Sequence, residues 1–124
     1  MVELDPAQIQ QVMMNLINNA ADAMSDIDLR ERRLSVWVRW RTGDDTVELG
    51  VQDSGPGVSA EMKPRIFEPS FTIKNSGHGF GLSTVYRIVS NHRGTISVED
   101  APGGGALFRI LLPARPSSRR PLAA

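Results

Sequence analysis

The sequence predicts an α+β fold: a two-layer α/β sandwich with a mixed, mainly antiparallel sheet covered on one face by helices. Three observations carry this. Two segments repeat apolar residues at helical spacing, two pairs of segments alternate at strand spacing around glycine-rich turns, and helices and hairpins segregate along the chain.

The first helix starts at Asp5-Pro6, an N-cap acid followed by a proline at the first helical position. Ile9, Val12, Met13, Leu16, Ile17, Ala20 and Met24 then recur on one face, giving a helix from Pro6 to Met24. Polar Ser25–Arg33 forms a connection. Leu34, Val36, Val38 and Trp40 alternate with Ser35, Trp37, Arg39 and Arg41; Val47, Leu49 and Val51 alternate with Glu48, Gly50 and Gln52. Gly43-Asp44-Asp45 between them makes the pair an antiparallel hairpin. Trp37 and Trp40 fall on opposite sides of their strand, so one is expected in the core and the other exposed. Ser54–Gly81 is irregular apart from a short helix near Ala60–Phe67. Its five glycines and three prolines mark a long functional connection rather than a packed element. Leu82–His92 is a second helix, ended by Arg93-Gly94, with His92 as its polar end. Thr95–Glu99 and Ala106–Leu112 form a second hairpin across Pro102-Gly103-Gly104-Gly105.

Composition excludes several classes. The 124 residues fit one domain, 1–113, with a Pro-, Ser- and Arg-rich tail, 114–124, expected to be disordered. Cysteine is absent, so there are no disulfides or thiolate metal sites. No apolar run reaches the roughly 18 residues of a membrane span, and no secretion leader is visible. Formal net charge is zero with three arginines in the last ten residues, so the body is mildly acidic and nucleic acid is not an expected partner. A cytoplasmic setting agrees with this.

Three features point to chemistry. Asn15, Asn19 and Asp22 fall at i, i+4 and i+7 on one stripe of the first helix, which Gln8 and Gln11 extend backwards. Amide oxygens and a carboxylate beside the core suit a hard cation such as Mg²⁺. An ordinary solvated face fits the stripe alone equally well. Asp53 ends a strand on its apolar face, where a carboxylate needs a partner. Being an acceptor only, it could receive the exocyclic amine of adenine, although an Asp-x-Gly-x-Gly run alone is also an ordinary turn. Gly77-His78-Gly79-Phe80-Gly81 opens straight into the Leu82 helix, where successive backbone N–H groups make an anion site; Ser83 and Thr84 add hydroxyls and Lys74 lies upstream. The Gly-x4-Gly-Lys-Ser/Thr pattern of a P-loop is missing, and so is the strand of a dinucleotide fingerprint.

Taken in order, these segments resemble the catalytic and ATP-binding domain of bacterial sensor histidine kinases, of the Bergerat-fold ATPase/kinase superfamily. Gln11–Met24 resembles the N box, Asp53–Val58 the G1 box, Ile66–Lys74 the F box, Gly77–Leu82 the G2 box, and Gly103–Pro113 the closing strand pair. The resemblance covers Val2 to Pro113, and four boxes in order are far more specific than any one. It implies about five strands, about three helices and a long ATP lid. Asn19 would be the Mg²⁺ ligand, with Asn15 in support as the other candidate for catalysis and metal. Asp53 would bind the adenine amine, and Gly55, Gly57 and Val58 would let the backbone pass the base, near Asp22 and Ala23. Pro56–Phe80 would be the lid, with Phe67 and Phe71 as anchors and Thr72, Lys74 and His78 near phosphate. Gly77, Gly79, Phe80, Gly81, Leu82 and Ser83 would cradle the phosphates.

Asn15 also separates branches. Related gyrase, mismatch-repair and heat-shock ATPases carry a glutamate there as the base that activates water, and an amide cannot take that proton. The site is therefore expected to hold ATP for transfer, with slow hydrolysis. Some positions depart from the family pattern: Ser70 stands where phenylalanine is common, Asp22 where many members have lysine, and Leu107 where threonine often faces the adenine.

Neither His78 nor His92 has the context of a phosphoacceptor. The histidine to be phosphorylated is expected on a separate dimerisation and phosphoacceptor domain, with a response regulator downstream. The chain reads as an excised, monomeric catalytic domain whose parent is open to membrane anchoring. Competing readings are a nucleotide-binding docking module without chemistry, which Asn19, Asp53 and the Gly77–Gly81 glycines disfavour, and a serine kinase of the anti-sigma type, which Phe67-Glu68-Pro69 disfavours.

Overall fold

The structure is a computed structural model that describes residues 4–68 and 80–113. In chain order the elements are α1 (Pro6–Ala23), a 3-10 turn (Leu29–Glu31), β1 (Leu34–Arg41), β2 (Thr46–Asp53), α2 (Phe80–Asn91), β3 (Thr95–Asp100) and β4 (Ala106–Pro113).

α1 begins as its first residues dictate. The Asp5 carboxylate accepts from the Ala7 N–H at 3.0 Å, and Pro6 opens the helix where no N–H is needed. Its apolar stripe buries Val12, Leu16 and Ala20. α2 ends with Arg93 in the left-handed region, φ 61°, while the Gly94 N–H returns to the Val89 carbonyl at 2.9 Å. His92, only 5% exposed, joins this end to the start of α1. The Asp5 N–H donates to Nε2 at 3.1 Å, so the proton sits on Nδ1, 2.8 Å from the Ile88 carbonyl. It is thus a buried clasp between helices and not merely a polar helix end.

The sheet runs β1-β2-β4-β3 with every pairing antiparallel. Val51 faces Phe108 and Leu49 faces Ile110 across β2 and β4. These side chains meet Val12, Leu16, Leu82, Val85, Ile88 and Val89 from the helices to form the core. α1 lies over β2, and α2 over β3. The fold class is the one expected. The described residues contain four strands and two helices, where about five and about three were anticipated, and no parallel pair. The stretch 60–67 is a run of turns, with Ile66 N–H to Met62 carbonyl at 3.1 Å, and not a helix. Pro64, in its middle, lacks the N–H a helix would use. It still seats Ile66 fully in the core.

Neither tryptophan is in the core. β1 is an edge strand that the helices do not cover, so Trp40 stays 40% exposed on the helix side. Trp37 lies on the outer face across Gly50 and donates from Nε1 to Glu48 at 3.0 Å. Glu48, 3% exposed, also accepts from Arg109 at 2.8 Å, and Arg39 and Arg41 stand within 3.8 Å. Arg109 turns its other edge to Glu99 at 2.9 Å. The Trp37 hydrogen bond and these arginines hold the Glu48 carboxyl below the usual range against the opposing effect of burial.

Candidate functional site

Asp53 ends β2 on its apolar face and is 3% exposed. Its Oδ1 accepts two backbone N–H groups, from Gly55 at 2.8 Å and from Ala106 at 3.3 Å. Its Oδ2 has no partner among the described residues. Every fully enclosed side-chain polar atom there is hydrogen-bonded, so Oδ2 must be open to solvent or ligand. Burial raises the carboxyl's pKa, and the hydrogen bonds from Gly55 and Ala106 only partly offset the rise. One oxygen therefore anchors the loop while the other presents free lone pairs.

The backbone around Asp53 is tightly built. Gly105 has φ 103°, and a Cβ there would overlap the Asp53 carbonyl. Gly57, at φ 82°, lies against the Gly105 carbonyl. Only glycine combines that φ with that approach. Gly105 is a residue the sequence reading placed only in a hairpin and closing strand. The available signal was three consecutive glycines directly before a strand that pairs beside Asp53. Gly55 sits against the end of α1, where a Cβ would lie 2.9 Å from the Ala23 carbonyl. Val58 is half-buried against the core.

The same helix reaches the mouth of α2. Asn15 donates from Nδ2 to the Gly81 carbonyl at 3.2 Å, and its Oδ1 accepts from Gln11 at 2.8 Å. Asn19, one turn on, has no hydrogen-bond partner among the described residues and is half-buried. Asp22 is half-buried and engaged. From Asn15, beside Gly81, to Ala23, beside Gly55, is eight residues of helix, about 12 Å. Asn19 stands midway. Asn15, Asn19, Ala23, Asp53, Gly55, Gly57 and Gly81 thus share one region, built on α1 as a ruler.

Phe80 opens α2 and Leu82 is buried in the core. Ser83 instead lines a cavity of about 600 Å³ with Pro64, Phe67, Glu68, Thr84, Tyr86 and Arg87, which contains neither Asp53 nor Asn19. Phe67 stacks on Tyr86 with ring centroids 5.8 Å apart and meets Phe108 edge-on at 6.2 Å. It thereby ties the chain entering the expected lid to α2 and β4. Ser70, Phe71, Thr72, Lys74, Gly77, His78 and Gly79, and the tail 114–124, lie outside the described residues.

As to a metal, no cluster of three or more His, Cys, Asp or Glu occurs among the described residues. The donor set fits a different kind of site. One amide oxygen without a competing partner, at Asn19, suits a cation that takes most of its ligands from phosphate and water. No helix of the described residues is long and apolar enough to cross a membrane.

Comparison with known proteins shows the family and the fold. Residues 4–116 match the family described as histidine kinase-, DNA gyrase B- and HSP90-like ATPase. The sensor histidine kinase ZraS of Klebsiella oxytoca is 45% identical over 112 residues, which are 90% of this chain and 23% of that protein. The chain thus spans about a quarter of the length of the curated relatives it matches. The catalytic domain of histidine kinase ThkA superposes with TM-score 0.79 at 32% identity, covering 96% of this chain and 74% of that one. Full-length ShkA, solved in complex with AMPPNP, superposes with TM-score 0.73 at 27% identity over 90% of this chain and 22% of its own. The chain belongs to the histidine kinase-, DNA gyrase B- and HSP90-like ATPase family, and its fold and sequence are those of a histidine-kinase catalytic domain.

Proposed function

We propose that this domain binds Mg·ATP and transfers the γ-phosphoryl group to a histidine on the dimerisation and phosphoacceptor domain of its parent sensor kinase, which then supplies a response regulator. One observation carries the reading: α1 touches the Asp53–Gly55 turn at one end and the mouth of α2 eight residues earlier, with Asn19, unpartnered among the described residues, between them. A nucleotide likewise carries its base at one end and its phosphates, with the metal they bind, toward the other.

The roles follow from donor and acceptor chemistry. Asp53 Oδ2 accepts from the adenine amine, and guanine would place a carbonyl against the same oxygen. The backbone N–H groups of the first turn of α2 face the phosphates. Asn19 offers its amide oxygen to Mg²⁺, which would neutralise charge on the phosphate oxygens. Asn15, an amide, has no lone pair basic enough to take a proton from water. Hydrolysis is therefore slow and ATP is held for an imidazole acceptor. In that transfer the bond from the γ-phosphorus to the ADP oxygen breaks as the phosphorus–nitrogen bond forms, and the imidazole proton is released. Such chemistry belongs on the cytoplasmic side, where ATP is, whether or not the parent is membrane-anchored.

The test is labelled ATP plus the parent's phosphoacceptor domain added in trans. Acid-labile label on that domain, lost with Asn19→Ala, is the expected result. ATP binding with no transfer would overturn the kinase reading in favour of a docking module, and label on serine would place the chain with the anti-sigma kinases.

A further inference from the structure

We propose that Gln11 is a positioning residue for Mg·ATP: by orienting the Asn15 amide it sets the distance between the metal ligand on α1 and the phosphate-binding mouth of α2. This rests on the nucleotide-binding reading above and assigns a division of labour within it. Asn15 is the brace and Asn19 the metal ligand.

The direction of each hydrogen bond is forced. The Gly81 carbonyl can only accept, so Asn15 must turn its NH₂ toward it, across 3.2 Å. The Asn15 oxygen then faces Gln11, which must donate, across 2.8 Å. Gln11 and Asn15 are one turn apart on the same stripe, so the relay runs up the surface of α1 and crosses to α2 at its second residue. It is the side-chain hydrogen bond that joins the two helices at this end among the described residues; at the other end His92 and Asp5 do the same work. The helices are thus pinned twice, and the pin nearer the phosphates depends on which way an amide faces.

Two consequences follow. Asn15 Oδ1 is already engaged, which leaves Asn19 as the amide of the pair with a free oxygen. A ligand that bridges metal and phosphates also needs α1 and α2 in register, whereas one gripped chiefly at Asp53 does not. Gln11 itself is exposed, so replacing it changes little in the core.

Gln11→Glu keeps the shape of the side chain but offers only acceptors. It competes for the Asn15 NH₂ and, if it wins, turns the Asn15 oxygen against the Gly81 carbonyl. Gln8→Glu, one turn back, makes the same charge change away from the relay. Binding is measured calorimetrically with AMPPNP plus Mg²⁺ and with ADP in EDTA. Gln11→Glu is expected to weaken AMPPNP·Mg by about ten-fold, the scale of a lost hydrogen bond facing a mismatched acceptor. ADP without metal should change less than about three-fold, and Gln8→Glu should affect neither ligand by more than about two-fold, as surface charges do. A changed chemical shift of the Asn15 side-chain NH₂ in Gln11→Glu, as it leaves the Gly81 carbonyl, provides a second, ligand-free readout. Equal losses for Gln8→Glu and Gln11→Glu, or equal losses for the two ligands, would overturn the proposal. Failure of the wild type to bind either ligand would instead reject nucleotide binding itself.

Discussion

Asp53→Asn separates the binding role of this residue from its structural one. Oδ1 already accepts from Gly55 at 2.8 Å and Ala106 at 3.3 Å, and an asparagine can keep its oxygen there. The group that changes is Oδ2, which becomes an NH₂ pointing where the adenine amine would donate. A hydrogen bond to a charged acceptor contributes about 1.5–3 kcal/mol, and the substitution also sets two donors face to face. At about 1.4 kcal/mol per decade this is a loss of roughly 10- to 150-fold in ATP affinity. The fold should not suffer, because the carboxylate's burial, the largest influence on its pKa, disfavours the charged form and asparagine removes that charge. Calorimetric titration with ATP analogue and a thermal melt read the two quantities separately. Expected are weak binding and an unfolding midpoint equal to or above the wild type. Unchanged affinity would refute the assignment of Oδ2. A midpoint several degrees lower would show that Asp53 is mainly structural.

Other outcomes follow from the same geometry. Gly105→Ala forces a Cβ at φ 103° into the Asp53 carbonyl, so it should destabilise by about 1–3 kcal/mol or more and weaken nucleotide binding together with stability; a variant as stable as wild type would contradict the close approach. His92→Leu removes both clasp hydrogen bonds and orphans the Asp5 N–H, an expected loss of about 1–3 kcal/mol, seen as a midpoint lower by several degrees with metal-free ADP affinity retained. Acidification should weaken adenine binding at a pH above that at which an ordinary aspartate protonates, because the Asp53 carboxyl is raised and its ionised form does the accepting. The Asp53 contribution to folding runs the other way, since a raised acid favours the folded state when protonated. Glu48, held low by Trp37 and the arginines, contributes stability above its unfolded value that is lost as pH falls through its folded one. Binding that is flat with pH down to the range of a normal aspartate would argue against the open Oδ2.

Much of this was legible in the sequence because local rules and the fold agree. Asp5-Pro6 caps α1 as expected, the alternation around Val47–Val51 places Asp53 on the buried face, and Asn15, on the polar stripe of α1, meets the Gly81 carbonyl. Where the structure departs from expectation, a local proline or a contact distant in sequence decides. The run at 60–67 has a helical look, but Pro64 leaves only turns, which the core accepts because Ile66 fills it. Trp37 and Trp40 alternate like a half-buried strand, yet β1 is an edge beyond the cover of the helices. The roles of Gly105 and His92 arise from approaches across more than 50 residues, to Asp53 and Asp5, that no local pattern encodes.

The most direct test of the convergence of α1, the Asp53 turn and the α2 mouth is an amide NMR titration of the intact chain with AMPPNP and Mg²⁺. The account predicts that the largest shifts among the described residues fall on Asn15, Asn19, Asp53, Gly55, Gly57 and Gly81 and saturate along one binding curve. Shifts confined to the outer sheet face around Trp37 and Arg109, or two groups saturating at different concentrations, would contradict it.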